Sequence, residues 1–241
     1  MATNAAWEST LLRWGALAGI VGSIGGVAVN GIHPRLGSHE LNDVPAYLNK
    51  VADSRLWRPV HVAAITAVLL GLVAIGAILR SMALERPNPW VIVALVSTAV
   101  TAPLLLLSLS IDGFAVPSVA DRWAAASPAD RQTVLASAQA LRDIDIAVLD
   151  VGMLGHFGVT ALFLGAATWA TPFYGPRVAL LALAGGVTGI LCGLLQALSG
   201  ELTALSYLWL LSLSALLLTL WVLWGSILLL RQQAATVGAR P

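Results

Sequence analysis

Six separate runs of mostly apolar residues constrain this chain more than anything else in it, each close to the roughly 20 residues that carry a helix across about 30 Å of hydrocarbon. They lie near 12–31, 59–79, 90–111, 147–170, 177–199 and 203–230. A backbone inside lipid must satisfy its own hydrogen bonds, which leaves helices or a closed barrel, and runs of this length are helices. Of the 241 residues, 58% are hydrophobic and only 10% charged, against about 25% charged in a soluble domain. The expectation is an all-α, polytopic integral membrane protein: one six-span domain over residues 1–241, bathed in lipid, with two further helices in its outer loops.

Charge and cysteine content narrow the function. Thirteen basic residues against twelve acidic ones leave a net charge of +1 and no basic stripe, so nucleic acid is excluded as a main partner. The single cysteine, Cys192, sits in an apolar run and can build neither a disulfide nor a thiolate-rich metal site within one chain. No phosphate loop, Walker motif or nucleophile elbow is present, which argues against nucleotide-driven transport. The first run is too long, and its leader too weakly basic, for a cleaved signal peptide, so it is expected to be a retained span.

Six spans put both ends of the chain on one side. Arg13, Arg80, Arg86, Arg177, Arg231 and Arg240 fall there, concentrated in short connections, and short basic connections mark the inner face. Both termini are therefore expected in the cytoplasm, with the protein in a bacterial plasma membrane. Trp14, Trp90, Trp169 and Trp224 fall toward inner span ends and Trp57 just before an outer one, as belts at the two interfaces.

The long outer loops carry helix signals. Asp43 and Pro45 followed by Tyr47, Leu48 and Val51 read as a capped amphipathic helix. Ser127, Pro128 and Asp130 occupy the cap, first and third positions of a second helix start. The spacing of Val134, Leu135, Ala138 and Leu141 then leads toward span four through Asp143, Asp145 and Asp150. Both segments are expected to cover the outer mouth of the bundle. Glycines at four-residue steps (Gly15 with Gly19, Gly22 with Gly26, and Gly185, Gly189, Gly193) allow close helix approach, inside one chain or in a helix-mediated homo- or hetero-oligomer. Pro103 is expected to kink span three. The halves also echo one another, HVAAITAVLLG from His61 against HFGVTALFLG from His156, each followed by a span ending near a carboxylate, Asp112 or Glu201.

The stretch VPAYLNKVADSRLWRPVHVAAITAVLLGLVAIGAILRSM, followed by LRDIDIAVLDVGMLGHFGVTALFLGAATWATPFYGPRVALLALAGGVTGIL, resembles small bacterial six-helix membrane proteins grouped as a domain of unknown function. Their pattern has a tyrosine-leucine helix after span one, a Gly-His pair in span four, here Gly155 and His156, and Pro-Arg in the following turn, here Pro176 and Arg177. The resemblance covers nearly the whole chain and implies a six-span fold. It implies no reaction and no cofactor, and His61 has no clear counterpart in it.

All four histidines, His33, His39, His61 and His156, fall on the predicted outer side, as do ten of the twelve acids. An ionisable group inside a bilayer costs energy that something must offset. His156 is therefore the leading candidate, with His61 and the carboxylates Asp112, Asp150 and Glu201 as neighbours, while the amides Gln196 and Asn30 can hydrogen-bond a ligand or join helices. His33 and His39 are expected to be solvent-exposed. Three chemistries fit such residues: a divalent metal on His61 and His156, a b-type haem between the same two rings, or a proton relay through an imidazole and a carboxylate. The plain alternative is a histidine bonded to a neighbouring helix.

Spans two to five are expected to form the bundle, with one and six outside. The function expected is binding of a small lipophilic ligand or cofactor in an outer-leaflet cavity near the His/carboxylate cluster. The alternatives are an accessory or structural membrane subunit and a small secondary transporter; whether the chain is an enzyme is left open.

Overall fold

In the computed structural model, residues 2–37, 40, 42–199 and 204–238 are described. They form α1 (Ala2–Ile32), α2 (Val44–Asp53), α3 (Trp57–Glu85), α4 (Pro89–Ala125), α5 (Arg131–Trp169), α6 (Gly175–Ser199) and α7, which comprises Ala204–Leu211 and Ser212–Gly238. Six of these are long and apolar enough to cross a membrane, and α2 is the short exception. The protein is a multi-pass, all-helical membrane protein whose spans meet lipid. Its large apolar side chains that face outward, among them Val21, Val73, Ile92, Val100, Val187 and Leu198, suit a hydrocarbon solvent and not water.

Two helices exceed what a bilayer requires. At about 1.5 Å per residue, the 37 residues of α4 and 39 of α5 reach well past a hydrocarbon layer of about 30 Å. Span three does not stop near 111 in a loop but continues as helix to Ala125. Val116, Val119 and Ala120 recur there at helical spacing and pack with Tyr47, Leu48 and Val51 of α2, Trp57 and Ala138. This small second core is the cap of the bundle, at the end away from the termini. The start of α2 matches its signal, because the Asp43 carboxylate accepts from the Ala46 N–H at 2.9 Å. The start of α5 differs. Residues 128–130 form a turn, the helix begins at Arg131, and the Ser127 hydroxyl donates to Asp130 at 2.6 Å instead of accepting a backbone N–H.

The six long helices form a ring in chain order, α1 on α3, α3 on α4, α4 on α5, α5 on α6 and α6 on α7, closed by α7 against α1. Spans one and six therefore belong to the wall and do not flank a four-helix bundle. Small residues make the closure possible: a Cβ on Gly15 would lie 2.2 Å from that of Ala77, and one on Gly189 would lie 2.4 Å from the Phe157 carbonyl oxygen. Both stripes are thus used within the chain. Ala16, Ala74, Ile78, Met82, Leu164, Trp221 and Leu229 fill the ring at the end holding the termini. The Ser9 hydroxyl, near the start of α1, donates to Gln233, near the end of α7.

At that filled end, Asn88 ties three elements together. Its side chain accepts from the Trp90 N–H to cap α4 and donates to the Ala167 carbonyl at 3.0 Å and to Thr171 at 3.3 Å, all while buried. Asn88→Ala removes the cap and one of the two side-chain donors to the Ala167 carbonyl, which the Thr171 hydroxyl also meets, so a loss of about 1 kcal/mol is expected. Thermal unfolding in detergent would show it, and Asn88→Asp, which restores only the cap, should recover part of it.

Candidate functional site

Above the filled half, the helices surround an open cavity of about 750 Å³. Its wall comes from α1, α3, α4, α5 and α7, with Tyr47 of α2 and the segment after α1, while no α6 residue lines it. Toward the middle the lining is apolar, including Val68, Leu72, Ile75, Leu149, Met153, Phe157, Leu218 and Val222. Toward the cap it turns polar: His33, Arg35, Tyr47, His61, Asp112, Arg142 and Asp145 all face it.

The polar end is organised around Asp112. Residues Ile111–Ala115 of α4 form a π-helical turn, a one-residue excess in the helix that recurs at functional sites. The turn directs the Asp112 side chain at α3 and frees its carbonyl, which accepts from the Trp57 indole N–H at 2.9 Å. Gly113 is what lets α3 come this near, since a Cβ there would lie 2.5 Å from the Cβ of His61. Asp112 Oδ1 then accepts from the Tyr47 hydroxyl at 2.6 Å, and Oδ2 lies 2.9 Å from His61 Nε2.

Both imidazoles nearby are held by their other nitrogen. His61 Nδ1 donates to the Trp57 carbonyl at 2.8 Å, one helical turn earlier, and the two rings stack at 5.5 Å. His33, just past α1, donates Nδ1 to the Pro34 carbonyl at 2.9 Å and sets its ring edge-on to His61 at 5.0 Å and to Trp57 at 5.4 Å. Burial and the neighbouring His61 hold the His33 imidazole below its ordinary value. Ligand-capable atoms of His33, His61 and Asp112 lie within 4.8 Å of one another, with His61 buried and the other two half-buried. Around them, Arg142 lies over the Tyr47 ring at 5.0 Å, and Asp145 accepts from Ser108 at 3.0 Å.

The structure divides the residues named from the sequence. His61 and Asp112 meet directly. His156 also lines the cavity, but deeper, in a second π-helical stretch, Met153–Thr160, where its Nδ1 lies 3.2 Å from the Thr101 hydroxyl, itself bonded to Thr160. Among the described residues His156 joins no group of three metal-capable side chains, whereas His61 stands in one with His33 and Asp112. Asn30 lines the cavity. Asp150 and Gln196 do not; Asp150 Oδ1 and both amide atoms of Gln196 are buried without hydrogen-bond partners. Glu201 and His39 lie outside the described residues. The echo between the halves does not extend to partners, since His61 meets a carboxylate and His156 a threonine.

His33, Tyr47 and Asp145 are the members that sequence reasoning did not select. His33 directly follows the first apolar run, and Trp57 with His61 are four apart on one helix face; these were the available signals. Comparison with protein-family models, with curated proteins and with solved structures returned no match.

Proposed function

We propose that this protein binds a small lipophilic molecule within the ring, its apolar body against Leu72, Ile75, Met153 and Phe157 and its polar end at the His33–His61–Asp112 cluster. One observation carries the reading: a cavity of about 750 Å³ with a mainly apolar lining and, at one end, a convergence of charged and polar groups. Ligand sites in proteins are of this size and character. The surrounding bilayer is a reservoir for such a molecule, and the chain is read as lying in a bacterial plasma membrane with both termini cytoplasmic, so that the polar end faces the outer leaflet. A reporter fused to the C-terminus, active only in the cytoplasm, tests that orientation.

The occupant is tested by native mass spectrometry of the detergent-purified protein, with a substitution that fills the chamber. Gly71 lines the cavity and has no atom within 4 Å of where a Cβ would stand. Gly71→Leu should therefore project into the chamber without disturbing a neighbour, and the exchange favours the helix by a few tenths of a kcal/mol or more. The expected result is a retained lipophile in the wild-type protein and its loss in Gly71→Leu at unchanged or higher unfolding temperature. A wild-type protein that carries nothing and takes up no amphiphile would end this reading in favour of an accessory subunit.

A further inference from the structure

We propose that His33, His61 and Asp112 bind one divalent transition-metal ion, zinc by the chemistry of the donor set, at the polar end of the cavity. This deepens the reading above and rests on it for the ion's role, though not for its coordination.

The backbone carbonyls fix where the ring protons must be. A carbonyl oxygen only accepts, so the nitrogens facing the Trp57 and Pro34 carbonyls, Nδ1 of His61 and Nδ1 of His33, carry the hydrogens. In each neutral ring that leaves Nε2 as a lone pair. For His61 the lone pair lies 2.9 Å from a carboxylate oxygen, a contact that requires a cation between the two. A proton would serve one imidazole. A second, neutral imidazole stands at the same carboxylate, its ring centre 5.0 Å from the first, and a proton on His61 leaves the His33 lone pair unused. A single metal ion satisfies all three groups at once.

Each candidate ligand also has the outer support that ligands need. Metal-binding histidines pass their second ring nitrogen to a carbonyl or carboxylate, and binding carboxylates are themselves hydrogen-bonded. His61 is held by Trp57, His33 by Pro34, and Asp112 by the Tyr47 hydroxyl on the oxygen away from His61. A modest inward movement of the side chains brings the set to coordination distance. Zinc–ligand distances of about 2.0–2.2 Å place tetrahedral ligands about 3.3 Å apart; the closest pair stands at 2.9 Å and the whole set within 4.8 Å. Two imidazoles and one carboxylate form a site for zinc or a neighbouring divalent metal, not for calcium or magnesium.

Three protein ligands leave a fourth position, the arrangement of zinc sites that bind a further group. All three residues line the cavity, so that position belongs to whatever occupies it. Charge then indicates the occupant's head. Arg35 and Arg142 offset Asp112 and Asp145 along this end, and a divalent ion tips the balance positive. An oxyanion on an apolar tail, carboxylate or phosphate, is the matching class.

The test uses the full chain in detergent, stripped with a chelator, equilibrated with zinc, desalted and analysed for metal; cobalt replaces zinc for an absorption spectrum. One zinc per chain and a tetrahedral cobalt band are expected. His33→Ala should abolish stoichiometric retention, and because His33 is half-buried at a helix end its removal should leave the circular dichroism unchanged. Tyr47→Phe keeps the ring and removes the hydroxyl that donates to Asp112, so zinc should bind about 10–100-fold more weakly. His156→Ala should bind as wild type. Wild-type protein that retains no more zinc than His33→Ala overturns the inference, as does undiminished affinity in both His33→Ala and Tyr47→Phe. A lipophile retained by a chain that takes up no zinc would sink the ion and leave the cavity reading standing. One zinc per chain with no lipophile, in amphiphile-saturated detergent, would support the ion and end the cavity reading.

Discussion

Alanine at position 189 is expected to force α6 away from α5 and to cost about 3 kcal/mol, at the upper end of what overpacking costs in a well-packed core. The three nearest atoms to a Cβ there are the Phe157 carbonyl oxygen and carbon, at 2.4 and 2.5 Å, and the Gly158 nitrogen at 2.8 Å. All are backbone, so no side chain can rotate aside and one helix must move as a body. The neighbouring contacts of Gly186 with Leu162 and of Gly193 with Leu154 would loosen with it. In lipid such contacts matter more, because apolar burial does not distinguish helix from solvent and close packing has to hold the helices together. Intrinsic fluorescence during thermal unfolding in detergent reads the effect. Gly76→Ala is the control: nothing lies within 4 Å of its Cβ position, and the variant should be as stable as wild type or slightly more so. Equal behaviour of the two variants would mean that α5 and α6 are not in backbone contact.

Asp112→Ala is expected to release the cap. The Tyr47 hydroxyl loses its acceptor, the polar contact of His61 Nε2 disappears, and a loss of about 3 kcal/mol follows from leaving buried partners of a charged group without it. The damage should be local, because Tyr47 links α2 to α4 through this carboxylate, whereas the core around Trp221 and Met82 lies at the other end of the ring. Hydrogen exchange should therefore rise across α2 and the cap end of α4 while the α1, α3 and α7 segments near the termini stay protected. Asp112→Asn, which keeps an acceptor oxygen, should show a smaller rise. Unchanged protection of α2 in Asp112→Ala would mean that the apolar contacts of Leu48 and Val51, with the hydrogen bond from the Trp123 indole to Asn49, suffice to hold the cap.

The spans were legible because twenty apolar residues are their own signature, and α2 because Asp43 and Pro45 are local signals read by local geometry. His61 and Asp112 stood out as ionisable groups at the ends of apolar runs. What stayed hidden depends on convergence between distant segments. His33 follows a span in a stretch with no periodicity, so nothing near it tells that its ring lies against Trp57 and His61. Tyr47 reads as one more apolar member of an amphipathic helix until its hydroxyl is found on Asp112. The continuation of α4 to Ala125 was masked by Asp112, Gly113 and Pro117, which read together as the end of a span; the π-helical turn carries the helix through them. Ring order was hidden for a related reason, since the glycine stripes on α1 and α6 do not state which neighbour they admit. His156, the leading candidate from depth alone, proves to be buried against Thr101 on the same chamber wall.

The closing contact of α7 on α1 also orders the assembly of the molecule. The three candidate ligands and Tyr47 all fall within residues 33–112, on or between the first three spans, so the polar cluster can form once those spans have entered the bilayer. The chamber beside it has no complete wall until the last helix arrives. During that interval its apolar lining is in open contact with acyl chains, and a lipid already seated on the polar cluster would gain its remaining wall when α7 packs on α1. The identity of an occupant acquired in this way would reflect the membrane in which the chain was synthesised.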